Sequence, residues 1–366
     1  MINIWLVVSV FAIALGVSYL LTPLIEGIAY VTGALSSPGR RRIHARSTPY
    51  LGGIAIYVAF IAGVLFVFRI NPQFAAESSR QLKGILIAGT LIVVFGLWDD
   101  LKKIRPVIKL IGQVVVALIL FVYDLRIELL TNPFIGGEIH LPLFISILLT
   151  VIWFVALMNA MNLIDGMDGL AAGITAIVCV SLIFIALHLH NYVTVFLLAA
   201  LAGSCLGFLR FNYYPAKIFM GDAGSLFLGL ILASVALLGS QHKASTAVVL
   251  MTPITVLAIP VYDTLVAIVR RLFGRKSIFK ADKKHLHHRL LSTGLNQNQI
   301  ALFLYLVTLY LGVFAFLFVL IPDKYALILL FLIALGLFMG SRIIGFIERA
   351  ARQIHRLELK KRKEEL

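Results

Sequence analysis

In a chain that is 61% hydrophobic and only 13% charged, the residues able to do chemistry are few, and they are grouped. Asp99 and Asp100 stand side by side in GLWDDLKKIRP. Asp165 and Asp168 stand three residues apart, among glycines, in MNAMNLIDGMDGLAAG. Asp222 follows a glycine in KIFMGDAGSL, and Asp263 lies in IPVYDTLVAIVRR. Each has a bland reading: Asp222 and Asp168 as helix caps, Asp165 as a turn residue. Capping explains one aspartate per site. It does not explain paired carboxylates at two sites, or Asp263 inside an apolar stretch, where an ionisable group is costly and usually functional.

Carboxylates gathered beside many cations suit a magnesium ion on a phosphorylated substrate. Mg²⁺ takes hard oxygen ligands, usually one or two carboxylates with phosphate oxygens and water. Lys and Arg then neutralise the remaining phosphate charge. The glycines near Asp165, Asp168 and Asp222 let backbone approach a bulky anion. Helices starting at Asp168 or Asp222 would point N–H groups at it.

The segment KADKKHLHHRLLSTGL adds His285, His287 and His288, flanked by Lys283, Lys284 and Arg289. Zinc is the rival reading, but no cysteine lies nearby and the flanking cations oppose a metal. A solvated basic loop is the bland alternative. Neutral imidazoles beside Lys and Arg suit a phosphate pocket better. If the segment is helical, His285 and His288 share a face.

The elements that carry these residues are apolar. Mean hydropathy is +1.00. Eleven stretches are long enough to be bilayer spans, roughly 3–25, 50–69, 84–98, 107–123, 143–161, 169–187, 192–209, 223–240, 247–269, 300–321 and 325–347. Lipid admits only helices or closed barrels, and the alternation of a barrel strand is missing. The expected fold is an all-α polytopic membrane protein. Residues 1–347 form a single transmembrane catalytic domain, and 348–366 form a basic cytoplasmic tail resting on anionic headgroups. The first stretch has no basic n-region and no small-residue cleavage site, so it reads as a membrane helix rather than a signal peptide. Cys179 and Cys205 fall inside spans, which supports neither a disulfide framework nor a cysteine zinc site.

The net charge of +15 is one-sided. Of 32 Lys and Arg, only Arg69, Arg80, Lys83, Arg126, Lys243 and Lys324 fall on one set of loops. The rest lie with the aspartates, which marks that side as cytoplasmic, with the N-terminus outside and the C-terminus inside. These charges are spread over short loops between spans. Phosphates and lipid headgroups fit them better than nucleic acid does.

The motifs DD after a span, NxxDGxDGL, FNxYPAKxFMGDxGS and HxHH occur in one order from Asp99 to His288. In them the chain resembles the polyprenyl-phosphate N-acetylhexosamine-1-phosphate transferases. The MraY branch of that family typically has three consecutive histidines followed by an acidic residue. HLHHRLL looks instead like the WecA/TagO branch. The resemblance implies transfer of GlcNAc-1-phosphate from UDP-GlcNAc to undecaprenyl phosphate, with release of UMP, as the first membrane step of a teichoic acid or O-antigen type glycan. It implies a multi-pass protein of the bacterial cytoplasmic membrane with its site on the cytoplasmic face, Mg²⁺ as cofactor with Mn²⁺ as substitute, and a homodimer as a compatible assembly.

It also implies roles. Asp222 would be the main metal ligand, and Asp99 and Asp100 would lie beside the metal and the lipid phosphate. Asp165 and Asp168 would position the nucleotide-sugar, with hydrogen bonds from Asn162 and Asn212. His285, His287 and His288 would engage the diphosphate or the sugar. Lys102, Lys109, Gln113, Asp263, Arg289 and His44 would line the substrate site. One loop departs from the family pattern: where Asp-Lys-Pro is common, this chain reads SSPGRRRIHARSTPYLGG, with Ser36 or Ser37 in the acidic position.

The chemistry implied is displacement at phosphorus. A phosphate monoester has a second pKa near 6, so the lipid phosphate is largely dianionic and needs no general base. Direct attack therefore ranks above a covalent aspartyl-phosphate. The rivals are a phospho-MurNAc-pentapeptide transferase, a CDP-alcohol phosphotransferase and a transporter. The second would concentrate its aspartates in one helix-borne motif. The third would place its polar site near the midplane, on broken helices.

Overall fold

A computed structural model describes residues 3–36, 47–72, 79–131, 138–240, 255–273 and 286–320. Between 325 and 345 it also describes 325, 328–329, 331–340, 342 and 345. The tail 348–366 and the loop carrying Ser37 to Arg46 lie outside these residues.

The chain is mostly helical. Its elements in order are α1 (Ile4–Thr32), β1 (Leu35–Ser36), β2 (Thr48–Pro49), α2 (Gly52–Ile70), α3 (Ser79–Lys102) and α4 (Pro106–Val122). Then come β3 (Leu129–Thr131), β4 (Glu138–His140), α5 (Leu143–Ile164), α6 (Leu170–His188), α7 (Tyr192–Asn212) and α8 (Gly221–Ser240). The last are α9 (Ala258–Phe273), α10 (Leu286–Leu291), α11 (Gln297–Leu320) and α12 (Phe331–Gly340). Among the described residues eight helices are long and apolar enough to cross a membrane, and α4 and α12 are shorter apolar helices. The protein is an integral, polytopic membrane protein.

Two helices run furthest past the hydropathy reading. The first helix runs on to Thr32, where Gly33 takes a left-handed conformation (φ 69°) and its N–H closes on Ala29 and Tyr30. The third runs from Ser79 to Lys102. It carries Asp99 and Asp100 on its last turn instead of leaving them in a loop, because both carboxylates find partners there. Two short antiparallel ribbons, β1–β2 and β3–β4, are also present, which apolar spacing does not signal.

Burial identifies the centre. In α8, 89% of the most apolar window is buried inside the protein, against 22% in α1. Helix α8 packs on α2, α3 and α5, while α1 lies outermost against α2 and α7. A helix apolar all round belongs in the middle of a bundle. Phe227 of α8 is fully buried and meets Tyr57 and Phe60 of α2 edge to face, at 5.5 and 5.4 Å. The N-terminus of this central helix is where the site forms.

Candidate active site at the start of the central helix

Adjacent positions on a helix diverge by about 100°, so Asp99 and Asp100 cannot serve one centre equally. Asp100 turns to α8. Its Oδ1 accepts the Asp222 N–H (2.9 Å) and its Oδ2 accepts the Ala223 N–H (3.1 Å). Asp100 is thus the cap of α8, satisfying donors that a helix start leaves open. Gly221 makes this approach feasible. Its φ is +70°, and a Cβ there would meet the Asp100 carboxylate and the Tyr50 carbonyl. A side chain at Gly96 would likewise strike the Ala223 backbone, so α3 and α8 lie close.

Asp99 faces the other way. Its Oδ1 accepts the Ile104 N–H (3.0 Å), and its Oδ2 pairs with Lys109 Nζ (3.1 Å) on the first turn of α4. Lys109 also pairs with Asp222 Oδ2. The second Asp222 oxygen accepts from Asn162 Nδ2 of α5 (2.7 Å), which donates as well to Ser225 Oγ (2.8 Å). One turn away along α4 and α5, the buried Gln113 exchanges hydrogen bonds with Asn159. Asn159 Nδ2 donates to Gln113 Oε1 at 2.6 Å, and Gln113 Nε2 donates to Asn159 Oδ1 at 3.4 Å. The amide pair fixes the two helices that present Lys109 and Asn162.

The DGMDG turn closes the same end of the bundle. Asp165 is the C-cap of α5. It keeps some surface exposed, yet burial, followed by the negative charges of Asp222, Asp100 and Asp168, pushes its carboxyl well above the usual carboxylate range. Asp168 is buried and does not cap α6, which starts at Gly169 with no side-chain cap. Its Oδ2 instead accepts the Ala216 N–H (2.9 Å). Asn212 is also buried. It accepts the Gly169 N–H at 3.1 Å and donates to the Ile218 carbonyl at 2.8 Å, tying the turn to the 213–220 loop. That loop is pinned to the start of α2: Phe219 N–H donates to Pro49 O (2.8 Å), and Gly52 and Gly53 N–H donate to Phe219 O (2.9 Å) and Met220 O (2.8 Å).

The sequence candidates therefore sort by position. Asp99, Asp222, Lys109 and Asn162 converge, with Asp100 behind them and Asp165 within electrostatic reach. Asp168, Asn212 and Gln113 are anchored in the scaffold around them. Asp263 Oδ1 accepts the Leu286 N–H (2.9 Å) and so holds α10, whose backbone carries His287, His288 and Arg289. Lys102 is exposed at the end of α3. His285 and His44 lie outside the described residues. Sequence reasoning missed Asn159 and Ser225. Each was within one turn of a residue it had singled out, Asn162 and Asp222, but their partners lie on other helices.

Beside α10 lies an apolar cavity of about 520 Å³, bounded by Ile259, Tyr262, Leu286, Leu304, Phe314 and Leu337. It runs from the site end of α11 toward its middle.

The sequence profile of glycosyl transferase family 4 matches residues 82–240, which span α3 to α8 and so the whole cluster. A probable undecaprenyl-phosphate N-acetylglucosaminyl 1-phosphate transferase of Bacillus subtilis is 35% identical over 301 residues, 82% of each chain. A decaprenyl-phosphate N-acetylglucosaminephosphotransferase of Mycobacterium tuberculosis is 35% identical over 321 residues, 82% of this chain and 78% of its own. A phospho-N-acetylmuramoyl-pentapeptide-transferase of Desulforudis audaxviator is 30% identical over 334 residues, 82% of this chain and 96% of its own. With the profile lying on the site and relatives aligned along most of its length, the chain belongs to glycosyl transferase family 4.

Proposed function

We propose that this protein transfers GlcNAc-1-phosphate from UDP-GlcNAc to undecaprenyl phosphate, releasing UMP, at the cytoplasmic face of a bacterial inner membrane. The observation that carries the proposal is the convergence of Asp99, Asp222, Lys109 and Asn162 at the start of α8, from helices far apart in sequence. The names of the relatives support the acceptor and the sugar. The one-sided charge supports eleven spans with the N-terminus outside and the C-terminus inside.

The donor set fits Mg²⁺. Two carboxylates from different helices face each other across an ammonium group, and Asn162 adds a neutral amide. Among the described residues there is no group of three or more His, Cys, Asp or Glu that would hold a metal unaided. That suits an ion that takes few protein carboxylates and completes its shell from phosphate and water. Asp222 and Asp99 would hold it, with Asp100, whose oxygens each accept an N–H of α8, standing behind them. When bound, Mg²⁺ would supply charge neutralisation on the diphosphate and on the departing UMP.

The chain's own residues do the rest. An oxygen of the lipid phosphate attacks the β-phosphorus of the nucleotide-sugar, and the bond between that phosphorus and the bridging oxygen breaks to give UMP. Lys109 offsets the repulsion between two anions that must meet. Asn162 aims the Asp222 carboxylate. Asp165, on the turn beside it, contacts the donor, and the buried Asp168 positions that turn. Helix α10 brings the histidines and Arg289 to the phosphates, and the cavity beside it takes the start of the prenyl chain.

The test uses the purified protein in vesicles. UMP release from UDP-GlcNAc should need both Mg²⁺ and undecaprenyl phosphate. Equal release without the lipid would overturn the acceptor assignment. Faster turnover of UDP-MurNAc-pentapeptide would move the donor to the rival branch.

A further inference from the structure

One group near the site belongs to none of the motifs above. Tyr305 lies on the third turn of α11, and its hydroxyl donates to the carbonyl of Gly169 at 2.7 Å. Gly169 is the left-handed residue (φ +73°) that ends the DGMDG turn and begins α6. Its carbonyl also accepts the Gly173 N–H (2.9 Å) and its N–H donates to Asn212, so this one residue is held from three helices. The phenol ring lies against Gly173, one turn along α6, where a Cβ would collide with it. The spacing Gly169-Leu170-Ala171-Ala172-Gly173 therefore forms a notch for a tyrosine that arrives from 136 residues later in the chain. Helix α11 follows α10 after a short turn, and α10 carries His287, His288 and Arg289.

We propose that Tyr305 is a positioning residue for the nucleotide-sugar: it locks the turn bearing Asp165 and Asp168 to the helix pair whose backbone carries His287 and His288. A carboxylate must be placed to a fraction of an ångström to hold a ligand, and such placement comes from the surrounding shell. Asp168 directly precedes the glycine whose carbonyl Tyr305 grips. Freeing the Gly169 carbonyl from the phenol lets the turn move without unfolding α6, because the Gly173 bond remains. The effect falls on the donor, because the turn carries Asp165, assigned to it. The apolar cavity assigned to the prenyl chain is lined from α9, α10, α11 and α12 and by no residue of this turn. This inference rests on the assignment of Asp165 to the donor.

Tyr305→Phe removes the hydroxyl and keeps the ring in its notch. It should raise KM for UDP-GlcNAc about fivefold, the loss expected for one hydrogen bond worth ~1 kcal/mol. KM for undecaprenyl phosphate and kcat should stay within about twofold. Equilibrium binding of UMP, measured by calorimetry on the purified protein, should weaken by the same fivefold factor. Gly173→Ala, which pushes the ring out, should add little when combined with Tyr305→Phe. Asp165→Asn serves as the reference. If it weakens UMP binding while Tyr305→Phe leaves donor KM and UMP binding unchanged, or lowers only kcat and Tm, the positioning role is overturned. If Asp165→Asn leaves UMP binding unchanged as well, the donor assignment of the proposed function fails instead.

Discussion

The two ends of α3 both carry charged clusters, and they are built differently. At its start, Arg80 pairs with Asp124 (2.8 Å), and Arg126 pairs with Asp124 (3.7 Å) and Glu128 (2.6 Å). Arg80 is 65% exposed and Glu128 54%. Three of these four residues sit within one short loop. At its end, Asp99 and Lys109 are 13% and 17% exposed, and Lys109 pairs onward with Asp222 of α8, which Asn162 of α5 bonds in turn. Exposed pairs in water are worth about 0–1 kcal/mol and serve to hold a turn. A cluster that draws carboxylates, an ammonium, an amide and a helix start from distant parts of the chain has a fixed geometry. It suits charged groups that act on a ligand. The same residue types are thus scaffold at one end of a helix and site at the other.

Breaking the site end should have the largest effect. Asp222→Asn keeps an acceptor for Asn162 but removes the charge facing Lys109. UMP release should fall by about 100-fold or more, with near-normal thermal unfolding. Activity within tenfold of the parent would show that the cluster is scaffold too.

Asp100 sharpens the contrast, since it lies in the cluster yet acts on α8. Asp100→Ala should lower stability by about 2 kcal/mol through loss of the cap, seen as an earlier unfolding transition in detergent. Asp100→Asn, which keeps one acceptor, should recover part of it. If Asn is as damaging as Ala to activity while both unfold normally, Asp100 is a ligand to the reacting groups and not a cap.

Asn212→Ala should cost about 1–2 kcal/mol by freeing the buried Gly169 N–H and Ile218 carbonyl. A silent substitution in the same unfolding assay would show that the turn is not held there.

At the other end of α3, Asp124→Ala should change stability by less than about 1 kcal/mol and leave UMP release unchanged. A loss of activity there would erase the distinction between the two ends.

The carboxylates were legible from the sequence because each sits at the edge of an apolar run, where charge is conspicuous. Lys109 stands out only through the family resemblance. What could not be read was the division of labour. Asp168 reads as a cap for α6 and is bonded to Ala216 instead. Capping, the bland alternative for Asp222, falls instead to Asp100, whose carboxylate takes the first N–H groups of α8. Asp263 reads as a substrate contact and holds α10. Asn159, Ser225 and Tyr305 are ordinary polar residues on helices, and nothing local marks their partners, which lie 46, 63 and 136 residues away.

By itself the sequence determined the solvent, the helices and the stock of groups able to handle phosphate. Apolar length, backbone hydrogen bonding in lipid and the sidedness of charge are local or summed properties of a chain. Only the tertiary structure decided which aspartate joins the Lys109–Asp222 cluster and which caps a helix. Asp99 and Asp100 differ by one step of rotation, and that step acquires meaning only once the start of α8 stands beside one of them.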